Sequence, residues 1–64
     1  MTVSELLHDA ARRLDENGSD TPRLDAEVLL GHVLGVERAT LLASPEALVG
    51  EDAEQTFGSL VDRR

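Results

Sequence analysis

The sequence predicts an all-α fold, a small bundle of four to five helices of which three are substantial and one or two are short. Apolar residues recur with the 3.6-residue period of amphipathic helices, and no segment alternates with the two-residue period of a strand. Capping residues, prolines and glycines stand at the junctions between these periodic segments. Local signals and the global pattern therefore agree on one helical domain.

The first predicted helix begins after Thr2. Thr2 and Glu5 have the spacing of a capping box, in which each side chain bonds the backbone N–H of the other residue. Asn17-Gly18 supplies a left-handed stop about four turns later. The residues between them place one narrow apolar stripe on the helix, made of Val3, Leu6, Leu7, Ala10 and Leu14.

The second predicted helix runs from Pro22 to Leu34. Thr21 precedes it as the cap, proline takes the first helical position, and Gly35 ends it. Its main apolar face consists of Ala26, Leu29, Leu30, Val33 and Leu34. Leu24 and Val28 point to nearly the opposite side, and a helix that is apolar on two faces is usually surrounded by other helices. We therefore expect this helix at the centre of the bundle.

The remaining chain predicts one short and one longer helix. Residues 36–43 form the short helix, with Leu41 and Leu42 turned inward and Arg38 turned outward, before Ser44-Pro45 breaks it. Residues 45–48 are expected to form a single turn, and residues 49–50 connect it to the last helix. That helix starts near residue 50 or 51 and carries Gly58 on its outer face. Its buried stripe is expected to consist of Ala53, Phe57, Leu60 and Val61.

Composition excludes several classes of function. The 64 residues carry six arginines and no lysine against 13 acidic residues, a net charge of −7, which disfavours nucleic-acid and membrane-surface binding. No apolar run reaches the roughly 20 residues of a spanning helix, and the absence of cysteine suits a cytoplasmic protein. A core of this size leaves little room for a substrate pocket, so the chain alone is not expected to be an enzyme.

The titratable residues do not form a catalytic or metal-binding pattern. His8 is expected to be a solvated residue on the polar face of the first helix, and His32 a half-buried residue with a backbone partner. Their spacing does not match a metal site. Arg23 and Glu27 form an i, i+4 pair in the less favourable order, worth at most a few tenths of a kcal/mol. We predict no catalytic, cofactor-binding or metal-binding residue in the chain.

Residues 23–35 read R-x-D-A-E-x-L-L-x-x-V-L-G and are followed by Arg38-x-x-Leu41. This pattern, after a short amphipathic helix, resembles the N-terminal helical domain of the HemK/PrmC family. Members of that family methylate the glutamine of the Gly-Gly-Gln motif in peptide chain release factors. The matching positions are Arg23, Asp25, Ala26, Glu27, Leu29, Leu30, Val33, Leu34, Gly35, Arg38, Leu41, Arg63 and Arg64.

The resemblance implies that residues 1–64 are an excised N-terminal domain of a larger enzyme. The family's glycine-rich cofactor loop and Asn-Pro-Pro-Tyr motif do not occur here, so S-adenosylmethionine would bind the parent's other domain. The implied role of the domain, acting as a monomer, is to bind the release factor. The catalytic domain of the parent would be its second partner. The motif residues Arg23, Asp25, Ala26, Glu27, Leu29, Leu30 and Gly35 are expected to be mainly structural. The candidate contact residues are the exposed charges Asp9, Arg12, Arg13, Glu16 and Arg38.

One alternative stays open at this point. The chain could be a purely structural helical domain, or a small acidic adaptor, with no partner surface of its own. An acyl-carrier function fails because the nearest match to its Asp-Ser-Leu motif, Gly58-Ser59-Leu60, lies inside the last helix. A DNA-binding helix-turn-helix is disfavoured because the last helix exposes Gln55 among acidic residues and glycine.

Overall fold

A computed structural model describes residues 1–63 as four helices. They are α1 (Val3–Glu16), α2 (Pro22–Leu34), α3 (Arg38–Ala43) and α4 (Glu51–Arg63). Helix α2 contacts each of the other three, which confirms its central position. Within residues 1–63 no strand forms, and the predicted all-α fold of four to five helices is confirmed. No helix in this part of the chain has the length and apolar character needed to cross a bilayer.

Both ends of α1 are closed as predicted. The Glu5 N–H donates to Thr2 Oγ1 at 3.1 Å, and the Thr2 N–H donates to Glu5 Oε1 at 2.9 Å, which completes the capping box. At the other end Gly18 adopts the left-handed conformation, with φ of 89°. The Ser19 N–H donates to the Leu14 carbonyl at 2.9 Å, the long bond of a Schellman motif.

The segment between α3 and α4 also caps α1. Val3 N–H donates to the Ala47 carbonyl at 3.0 Å, and Ser4 N–H donates to the Pro45 carbonyl at 2.9 Å. Together with the capping box, these bonds satisfy the four N–H groups that the first turn of a helix leaves free. Val49, which we predicted to be a simple connector, is only 7% exposed and belongs to the core.

The core collects apolar side chains from all four helices and from the segment before α4. The predicted α1 stripe is buried in full, and α4 contributes Phe57 and Val61, with Ala53 and Leu60 half-buried. The fully buried set is Val3, Leu6, Leu7, Ala10, Leu14, Ala26, Leu30, Leu41, Val49, Phe57 and Val61. Gly58 is half-buried rather than outward, because it lines a cleft between α1 and α4.

The predicted inward direction of Leu42 is wrong, and so is the expectation that other helices surround α2. Leu42 is 41% exposed, because α3 has only six residues and buries Leu41 alone. Leu24 and Val28 are 41% and 55% exposed, since the other helices cover only one side of α2. The helix therefore has a buried inner face and an apolar outer face that the described residues leave partly exposed.

The start of α3 also differs from the prediction. The helix begins at Arg38 rather than Val36. Gly35 is left-handed, with φ of 70°, and the Val36 N–H donates back to the Gly31 carbonyl at 3.0 Å. This C-terminal bond of α2 holds Val36 outside α3 and leaves its side chain 38% exposed.

Candidate docking surfaces

Three of the predicted contact residues form an ion-pair network on the polar face of α1. Asp9 accepts a hydrogen bond from Arg12 Nη2 at 3.0 Å and pairs with Arg13 Nε at 3.3 Å. Arg13 also reaches Asp62 of α4 at 3.6 Å. The hydrogen bond from Arg12 to Asp9, reinforced by the charges of Asp9 and Glu16, raises the pKa of Arg12. Glu16 itself is exposed beside this network.

Arg38 lies apart from that network and pairs with a buried carboxylate. Glu27 is only 6% exposed, and its Oε1 accepts from Arg38 Nε at 2.9 Å. Its Oε2 accepts from Arg23 Nε at 3.0 Å. The predicted Arg23–Glu27 pair is present, but the spacing did not indicate that its carboxylate is buried and is shared by a second arginine from α3. Arg23, Glu27 and Arg38 all belong to the motif that resembles the HemK/PrmC family. Their shared membership is the sequence feature that could have indicated this cluster.

Glu27 stays ionised because its partners outweigh its burial. Burial raises the pKa of the carboxyl, but the hydrogen bonds and charges of Arg38 and Arg23 lower it more, so the pKa lies below its ordinary value. Both arginine side chains remain about half-exposed, at 52% and 53%. Each arginine binds Glu27 through Nε, and its two Nη atoms carry four further N–H donors.

Asp25 joins the α1–α2 loop to the start of α2. Its Oδ2 accepts from Ser19 Oγ at 2.7 Å, and its Oδ1 accepts from Thr21 Oγ1 at 3.4 Å. Thr21 precedes the helix as predicted, but its side chain makes no capping hydrogen bond. Asp25 and Thr21 line a shallow polar cleft together with Arg63 at the end of α4. Arg64, the second arginine of the predicted pair, lies outside the described residues.

A second groove lies at the other end of α2, beside the start of α3. We call it the α2–α3 groove, and it is lined by Glu27, Val28, Gly31, His32, Gly35, Val36, Glu37 and Arg38. Gly31 is buried, and a Cβ built on it would lie 3.0 Å from the Val36 carbonyl oxygen. The role of Gly31 could not be predicted from helical periodicity, because periodicity contains no information on a close approach from the following turn.

Both histidines are exposed. This agrees with the prediction for His8, whereas the predicted half-burial of His32 is wrong. His32 lies on the rim of the α2–α3 groove rather than against the core. Among residues 1–63 no group of three or more His, Cys, Asp or Glu side chains is arranged to hold a metal ion.

The fold and these surfaces define a small acidic helical domain with exposed polar and apolar grooves. The family of PrmC N-terminal domains matches residues 5–64. The chain belongs to this family, which confirms the resemblance of the motif around α2.

Relatives of the chain carry the name release factor glutamine methyltransferase. The chain is 39% identical over 64 residues to the protein of Aliivibrio fischeri, which covers the whole chain and 22% of the relative. It is 42% identical over 64 residues to the protein of Moorella thermoacetica, covering the whole chain and 23% of that relative. The chain therefore spans about a fifth of the length of the curated relatives it matches. Comparison with solved structures gave no match.

Proposed function

We propose that the chain is the release-factor-binding domain of a release factor glutamine methyltransferase. The observation that carries the proposal is the match of the whole chain, at 39% and 42% identity, to part of two relatives that bear this name. Membership of the PrmC N-terminal domain family supports a position outside the catalytic domain of such an enzyme.

In this proposal the two domains of the parent divide the work. The domain described here binds the release factor, and the remainder binds S-adenosylmethionine and transfers its methyl group to the glutamine of the Gly-Gly-Gln motif. Binding by one linked module raises the effective concentration of the substrate at the other. The contribution of this domain to the rate is therefore positioning of the glutamine, and no residue of the chain acts on the reacting atoms.

The charge of the domain supports binding to a basic partner in the cytoplasm. A net charge of −7 on 64 residues produces a field that speeds encounter with a positively charged protein surface. The exposed acids at the start of α4, Glu51 and Asp52, contribute to this field without a partner on the described chain. Asp9 contributes less, because Arg12 and Arg13 neutralise it.

An NMR titration of the isotope-labelled chain with unmodified release factor tests the proposal. We expect localised chemical-shift changes on one face of the domain, and weaker binding as salt is raised. An unrelated basic protein of similar size serves as the control and should leave the spectrum unchanged. If the release factor also leaves it unchanged at high concentration, the domain is a structural one and the proposal is wrong.

A further inference from the structure

Helix α3 is held to the domain by few interactions. It has six residues, of which Leu41 is buried and the other five are exposed. It packs mainly against α2. Glu37, the residue that precedes it, makes no side-chain capping hydrogen bond, whereas Thr2 caps α1. A helix this short is not stable alone, so its structure depends on these few interactions with α2.

The chain on both sides of α3 is fixed by backbone hydrogen bonds of its own. Before the helix, the Val36 N–H donates to the Gly31 carbonyl at 3.0 Å. After the helix, the Pro45 carbonyl accepts from the Ser4 N–H of α1 at 2.9 Å. None of these bonds includes a residue of α3. The helix can therefore separate from α2 while both of its flanking segments stay in place.

An ion pair with a buried group connects α3 to α2. Arg38 Nε donates to Glu27 Oε1 at 2.9 Å, and Glu27 is only 6% exposed. Arg38 is the first residue of α3, so the bond requires the start of that helix to stay beside α2. Hydrogen bonds to an ionised acceptor are stronger than those between neutral groups. For a helix that buries one apolar residue, this bond is a substantial part of the attachment.

Arg23 binds the same carboxylate without connecting two helices. Its Nε donates to Glu27 Oε2 at 3.0 Å, and both residues belong to α2. The side chains of Arg23 and Arg38 are 52% and 53% exposed, and both residues lie in the first turn of their helix. The two arginines are therefore matched in bond length, exposure and helix position. They differ in that the Arg38 bond alone is broken when α3 leaves α2.

We propose that α3 opens from α2 as a separate unit while the other three helices stay folded, and that the bond from Arg38 to Glu27 keeps it closed. The hinges are Gly35, which is left-handed with φ of 70°, and Ser44, which precedes Pro45. Opening removes Leu41 from the core and gives water access to Glu27. This inference does not rest on binding of the release factor.

Hydrogen exchange of the unaltered chain, followed by NMR at low urea concentrations, tests the separate opening. The Leu41 N–H donates to the Glu37 carbonyl at 3.0 Å, and Leu7 lies in the middle of the buried stripe of α1. We expect the Leu41 amide to have a protection factor at least about tenfold below that of Leu7. Its exchange should also depend less on urea, because local opening exposes less surface than global unfolding. Equal protection and equal urea dependence at both amides would overturn the proposal.

Arg38→Met and Arg23→Met test the bond that keeps α3 closed. Methionine has a similar helix propensity to arginine but no N–H donors on its side chain, and each variant removes one positive charge. We expect Arg38→Met to lower the protection factor of Leu41 about fivefold and Arg23→Met to change it by less than about twofold. Equal changes in the two variants would overturn the role of Arg38. Circular dichroism verifies the fold, and the urea comparison on the unaltered chain depends on neither variant.

Discussion

Helices α1 and α2 have nearly equal lengths, 14 and 13 residues, but they use their surfaces differently. The apolar residues of α1 form one stripe that is buried throughout, and both of its ends are closed by capping motifs. Helix α2 buries one face, exposes Leu24 and Val28 on the other, and holds a carboxylate in between. The comparison shows that two kinds of helix pack together. The structure of α1 follows from signals in its own sequence, whereas side chains of α2 depend on partners that are distant along the chain.

The difference is sharpest at the buried polar group. All buried residues of α1 are apolar, whereas α2 buries Glu27 and needs arginines from two helices to keep it ionised. Burial of a charge is costly unless hydrogen bonds compensate. The α2–α3 corner therefore combines a compensated buried charge with the packing of Leu41, whereas the residues that α1 buries are all apolar.

The largest expected effect comes from the inner face of α2. Leu30 is fully buried, so Leu30→Ala should lower the free energy of unfolding by about 2–5 kcal/mol, which is most of the stability of a domain this small. Leu14→Ala in α1 should cost a similar amount, because Leu14 is only 1% exposed. Val28→Ala on the outer face should change stability by less than about 0.5 kcal/mol. Urea unfolding followed by circular dichroism measures all three, and equal losses at Leu30 and Val28 would contradict the two-faced description of α2.

The next effect concerns the carboxylate that distinguishes the two helices. Glu27→Gln should lower the free energy of unfolding by about 1–3 kcal/mol, because the amide cannot accept from both arginines. The loss is below that of a fully buried ion pair, since solvent already screens the half-exposed arginines. Glu16→Gln is the same change on the exposed face of α1 and should have little effect. Equal stability of the two variants would show that Glu27 contributes nothing beyond a surface charge.

The contribution of Glu27 should also depend on pH. Its pKa lies below the ordinary value of about 4.3, so the unfolded state takes up its proton first as the pH falls. The stabilisation is therefore complete above pH of about 4.3 and is lost as the pH falls through the lower pKa of the folded state. We expect the stability difference between the unaltered chain and Glu27→Gln to shrink between pH 7 and pH 3. A constant difference across that range would show that folding is not coupled to protonation of Glu27.

Substitution of Gly31 by alanine tests the close approach of the Val36 carbonyl at the end of α2, and Gly58 provides the comparison. Gly31→Ala would gain helix propensity, but its Cβ would lie 3.0 Å from a carbonyl oxygen that the Val36–Gly31 hydrogen bond holds nearby. We expect a net loss of about 1 kcal/mol. Gly58→Ala in α4 meets nothing within 4 Å and should gain about 1 kcal/mol. Thermal unfolding of both variants gives the comparison, and two gains would mean that the turn after α2 yields to a methyl group.

The contrast between α1 and α2 also explains which features of the fold could be predicted from the sequence alone. The bounds of α1 and α2, the capping box and the α1 stripe follow from local spacing, and the structure confirms them. Burial of Glu27 depends on Arg38, eleven residues away and on another helix, so helical periodicity contains no information on it. The exposure of Val28 depends on how many helices a short chain can place around α2. Of the candidate contact residues, the structure groups those on α1 and separates Arg38 from them.

The smallest expected effect compares the caps of the two helices. Thr2 accepts a hydrogen bond from the Glu5 N–H, so Thr2→Ala should cost about 1 kcal/mol. Thr21 occupies the same position before α2 but makes no side-chain cap, and its hydroxyl only approaches Asp25 at 3.4 Å. Thr21→Ala should therefore cost about 0.3 kcal/mol, because a bond this long contributes little. Chemical unfolding of the two variants under the same conditions measures the two losses of stability. A larger loss for Thr21→Ala would mean that α2, like α1, is stabilised by the side chain of the residue that precedes it.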